Sequence, residues 1–92
     1  MTPEVLYQHL EDLLERVGIS LVYDTLSDAE GRALSGLCTV KGSRLYIMDS
    51  TKGLTERIRL LRECLRQVDL NGVYLLPVVR AFLEKGGELH DG

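Results

Sequence analysis

Apolar side chains at positions 6, 10, 13, 14 and 17 recur at helical spacing, and the run stops at a glycine that leads directly into a strand-like segment. Leu6, Leu10, Leu13, Leu14 and Val17 form one stripe. Thr2 stands where a cap for the free amides belongs, Pro3 suits the first helical position, and Glu4 complements the helix dipole. Gly18 fits a left-handed cap, with Ile19 as the apolar contact beyond it.

Residues 19–26 are rich in β-branched, aromatic and leucine side chains and predict the first strand. Residues 27–32, with Asp28, Glu30 and Gly31, read as an exposed loop. Residues 34–40 predict a second strand, Lys41, Gly42 and Ser43 a tight turn, and residues 44–49 the returning strand. Leu45 and Ile47 point to one face of it and Tyr46 and Met48 to the other, so both faces are expected to be partly covered. Thr55 is the expected cap of a second helix reaching Val68, with Ile58, Leu61, Cys64, Leu65 and Val68 on its apolar side. Asp69, Leu70, Asn71 and Gly72 break that pattern. Pro77 opens a third helix that ends near Lys85, with Gly86 and Gly87 as its terminator.

The expected fold is therefore α+β in the order α-β-β-β-α-α: an N-terminal helix, a short antiparallel three-strand meander with helices on one face, then two C-terminal helices. A single domain is expected over residues 1–87 and a flexible tail over 88–92. At 92 residues the core is small, although 45% apolar residues are enough to build one. Total stability of such a chain is about 5–14 kcal/mol.

A formal charge of −3 argues against nucleic acid as the partner, because nucleic-acid binders usually carry a basic domain or stripe. Nothing approaches a membrane span, and Glu4, Glu11 and Asp12 interrupt any leader-like apolar run. Cys38 and Cys64 lie far apart without paired spacing. They are expected as small buried apolar residues in a reducing, cytoplasmic setting.

No constellation predicts catalysis. His9 and His90 lack partners at metal-ligand spacing, so neither a metal nor a cofactor is expected. Cys64 falls on the apolar side of a helix, where a thiol is inert, and Cys38 lies in a strand. Ser50 and Thr51 read as turn or capping residues. No glycine pattern forms a phosphate loop.

Two features remain as candidate interaction surfaces. Arg59, Arg62 and Arg66 share a face of the second helix, with Glu56 and Glu63 each three residues ahead of an arginine. The face is either a solvated, ion-paired surface or an arginine ridge for acidic or phosphate-bearing groups. In the third helix, Leu75, Leu76, Val78, Val79, Phe82 and Leu83 span about 160° of a helical wheel, wider than a surface helix requires. Such an arc either packs wholly in the core or covers itself by forming a homodimer that buries Leu75, Val79, Phe82 and Leu83.

Residues 62–66, Arg-Glu-Cys-Leu-Arg, follow a helix and a hairpin. In outline, residues 1–68 resemble the small HExxH zinc peptidases of the ImmA/IrrE type with both histidines replaced by arginine. Glu63 alone matches the motif, at the position of the family's catalytic base. Guanidinium stays protonated and cannot ligate zinc, so the resemblance implies a metal-free, degenerate relative. The expected role is a non-enzymatic interaction domain that associates with itself or with another protein. That degenerate relative is the alternative.

Overall fold

The computed structural model describes residues 1–24 and 36–85. It contains α1 (Pro3–Arg16), β1 (Ile19–Asp24), β2 (Gly36–Val40), β3 (Ser43–Asp49), α2 (Leu54–Arg66) and α3 (Pro77–Lys85). The fold is α+β in the expected order. The expected loop at 27–32, the outer ends of the first two strands, the Gly86-Gly87 terminator and the tail lie outside the described residues.

Local chemistry sets the boundaries of α1. The Thr2 hydroxyl accepts from the Val5 amide at 3.2 Å, and Pro3 opens the helix. Gly18 ends it at φ +83°, a conformation that costs glycine little and other residues much more. Arg44 of β3 closes the same corner by donating from Nη2 to the Val17 carbonyl at 3.1 Å. Ile19 then enters the core at the first position of β1.

The sheet is not the expected meander. Its strand order is β1-β3-β2, with β1 parallel to β3 and β2 antiparallel to it. The β2–β3 hairpin turns on Lys41 (φ +53°) and Gly42 (φ +84°), the two consecutive positive values that a type I′ turn requires. That turn makes β2 and β3 neighbours. The remaining choice is which of them β1 joins. β3 carries Leu45, Tyr46, Ile47 and Met48 in succession, apolar on both faces as a central strand must be. β2 offers a glycine and a threonine among its five residues, and so takes the edge.

Register assigns the faces. Tyr46 lies between Leu21 of β1 and Leu37 of β2, and Met48 lies beside Tyr23. The helices pack on this side, where Leu10, Leu14, Ile19, Met48, Ile58, Leu61 and Leu65 are fully buried. Among the described residues the opposite side carries Val22, Cys38, Val40, Leu45 and Ile47, all at least partly exposed, so the helical layer covers one face only.

The loop into α2 departs from expectation in a small way. Gly53 occupies the cap position without a side-chain bond, while Thr55 lies inside the helix and is exposed. Two other residues organise the loop. Asp49 accepts from the Thr51 amide and hydroxyl at 2.9 and 2.7 Å, and these bonds hold its carboxyl below the usual range. Arg57 donates to the carbonyls of Ser50 and Lys52 at 2.9 and 3.0 Å. With the chain held from both sides, Thr55 has no capping role. α2 ends at Arg66, two residues before the expected Val68, which packs half-buried against the core.

Removing a fully enclosed side chain from this single core should be costly. Leu61→Ala is expected to destabilise the domain by about 2–5 kcal/mol, a large share of its total. Urea denaturation reads this as a lowered midpoint with an unchanged slope.

Candidate functional site

The three arginines of α2 do not form one ridge. The Arg62 side chain is only 13% exposed and reaches α3, where Nε donates to the Phe82 carbonyl at 3.1 Å. Its guanidinium also lies 5.8 Å from the centre of the Phe82 ring. Arg62 is thus a peg between two helices. Arg59 stays outside and is ion-paired with Glu56, a bond that lowers the Glu56 pKa and raises that of Arg59. Arg66 is exposed. Glu63 approaches Arg62 at 3.7 Å, with its own side chain mostly in solvent.

The third helix is likewise used within the monomer. Leu75, Val79 and Leu83 are buried in the common core, and Phe82 is half-buried beneath Arg62. Of the two arrangements expected of this arc, these four side chains take the one that packs them in the core. α3 packs against both α1 and α2, so a wide apolar arc faces two partners inside one chain. What α3 and its approach leave outside is Tyr74, 69% exposed, and Val78, 50% exposed.

Tyr74 also lines a cleft that the sequence reading missed. It lies between α1 and the start of α3 and holds about 240 Å³. Leu13, Leu75 and Val79 are buried residues of its wall, Leu76 is half-buried, and His9, Asp12, Arg16 and Tyr74 bring polar atoms. Arg16 pairs with Asp12 at 2.9 Å and donates to the Tyr74 carbonyl at 3.4 Å, fixing the lip of the cleft. Positions 9, 12, 13 and 16 follow helical spacing, so α1's share was legible. The stretch that faces them, 74–76, precedes α3, and no local pattern says which element it faces.

A second cluster ties α1, β1 and α2 together. Tyr23 donates to Glu11 Oε2 at 2.5 Å, which leaves the Tyr7 hydroxyl to donate to Tyr23 at 2.7 Å. Arg57 stacks over the Tyr23 ring at 5.1 Å. Burial pushes the Tyr7 and Tyr23 phenols upward, and it pushes Tyr46 up to about 12. Phenols held protonated in this way are poor bases, and the cluster acts as a brace.

The thiols divide. Cys64 is buried, and burial raises its pKa. Cys38, expected to be buried, is only half-covered because β2 is an edge strand and its side chain points away from the helices. Among the described residues no group of three or more histidine, cysteine or acidic side chains is placed to hold a metal, and no helix is long and apolar enough to cross a membrane.

Two outcomes follow from these contacts. Arg62→Ala should cost about 1–3 kcal/mol, since it breaks a charged hydrogen bond and uncovers Phe82. Arg59→Ala and Arg66→Ala should each leave the melting temperature nearly unchanged, as surface substitutions do. Thermal melts of the three variants check the contrast. The tyrosines should also make stability fall at high pH. Their folded pKa values exceed the unfolded value of about 10, so the stabilisation is complete below that pH and is lost as pH rises through about 12. Tyr46→Phe should flatten the fall in urea midpoint above pH 10 relative to the wild type.

No protein-family model, curated protein or solved structure matches the chain.

Proposed function

We propose that this chain is a non-enzymatic protein-interaction domain whose partner inserts an apolar side chain into the cleft between α1 and α3. The observation that carries this reading is the exposure of Tyr74 on the rim of a cleft with buried apolar walls. A volume of about 240 Å³ is below the roughly 300–1,000 Å³ of small-molecule sites, and it suits one large side chain. Tyrosine is favoured at the energetic centres of interfaces, since it pairs apolar area with a polar tip. Asp12 and Arg16 neutralise one another, so the cleft selects for shape and apolarity rather than for charge. The free thiols of Cys38 and Cys64 suit a reducing compartment, and we place the domain in the cytoplasm.

A metal-free relative of the HExxH peptidases is the second reading, supported by the order of α1, the hairpin and α2. The engagement of Arg62 with α3 and the solvent-facing position of Glu63 count against it. Zinc near one per chain in purified protein would rule it out and point to a true metallopeptidase.

Peptide display against the immobilised domain tests the cleft. Selected sequences should share a large apolar residue, and Tyr74→Ala should weaken their binding at least about tenfold. Tyr74 is exposed, so the melting temperature should barely move. Peptides that bind this variant as tightly as the wild type would overturn the reading.

A further inference from the structure

Among the described residues, no strand pairs with the outer edge of β2. Exposed edges are usually blunted by charge, proline or a bulge, because their free amides and carbonyls recruit other strands. The other edge strand, β1, ends on Asp24 and runs beside Glu11 and Glu15. β2 has no such protection. Gly36-Leu37-Cys38-Thr39-Val40 is uncharged, lacks proline and pairs with β3 in unbroken register. Leu37 and Val40 are 41% and 49% exposed, on opposite faces of the strand.

We propose that β2 is a homodimerisation edge, joined to the same strand of a second copy in antiparallel register about a two-fold axis through Cys38. The register of the hairpin dictates this arrangement. In a two-residue turn the flanking residues, here Val40 and Ser43, exchange both backbone bonds, and such pairs alternate along the ladder. Cys38 and Gly36 therefore spend their amides and carbonyls on β3, while those of Leu37 and Thr39 point outward. These two outward residues are symmetric about Cys38. A second copy places its Thr39 opposite Leu37 and its Leu37 opposite Thr39, which makes four backbone bonds with none left over in the strand. The partner's Gly36 falls opposite Val40, and no charged residue of the strand meets another. Any extended strand carries backbone groups at this spacing; a second copy of β2 supplies them while adding no charge or proline to the edge.

The two Cys38 residues then form a pair not bonded to each other, with Cα atoms about 4.5 Å apart, inside the span a disulfide bridges. Cys38 thus reports the register without being needed for the pairing. No residue of β2 lines the α1–α3 cleft, so the dimer stands or falls separately from the proposed partner site.

Sedimentation of the full chain from micromolar to millimolar concentration provides the test. The wild type should pass from monomer to dimer. Thr39→Pro removes an outward amide that β3 does not use, a position where an edge strand tolerates proline. It should weaken the dimer at least about tenfold. Thr39→Lys adds a charge to the edge without restricting the backbone and should do the same, so the test survives a misfolded proline variant. With diamide, which takes up the two hydrogens released by two thiols, the wild type should form a Cys38–Cys38 disulfide faster than either variant. A wild type that stays monomeric throughout, or a Thr39→Lys protein that dimerises as tightly as the wild type, would overturn the proposal.

Discussion

Burial of one face of β3 under α1 and α2 is the constraint on which the other features depend. Tyr46 and Met48 present that face, and Leu10, Leu14, Ile58, Leu61 and Leu65 close over it. Fully burying a leucine or isoleucine contributes about 1.5–3 kcal/mol, and these side chains form one contiguous cluster in a chain whose net stability is small. A central β3 puts β1 on one side of it and β2 on the other. It also fixes α1, because Gly18 leaves no slack between α1 and β1. The third helix arrives last and fills the groove between the first two.

Polar contacts then lock elements that the core alone would leave free to slide. Arg62 crosses from α2 to α3, Arg44 closes the corner between α1 and β1, and Arg57 holds the approach to α2. Each guanidinium donates to a backbone carbonyl, and its planar fork ties one segment of the chain to another. The Tyr7–Tyr23–Glu11 chain acts similarly between α1 and β1. The arginine content of this domain is thus partly architectural, which explains why a face dense in arginine need not be a binding face.

After these demands are met, two kinds of surface remain. One is the lip of the α1–α3 cleft around Tyr74. The other is the uncharged edge of β2, with Leu37 and Val40 beside it. They differ in physics. The cleft offers shape and apolar area, while the edge offers directional backbone groups in a fixed register. A domain of this size has little surface to spare, and the two sites lie on different layers of the fold.

The helices were legible in the sequence because their periodicity and end signals are local. Thr2, Pro3 and Gly18 bounded α1 correctly, and Pro77 opened α3. The Lys41-Gly42 turn was equally local. Sheet order was not, since it compares strands far apart in the chain, although four successive apolar residues in β3 already marked a central strand. The fates of Arg62, Val79 and Leu83 were beyond local reading for the same reason. Amphipathicity says that a face will be covered, not whether the cover comes from the same chain. Alone, the sequence determined which segments are helix or strand and which side chains shun water. The tertiary structure decided who covers whom, because burial is shared among elements separated by dozens of residues and is settled only when all of them are packed together.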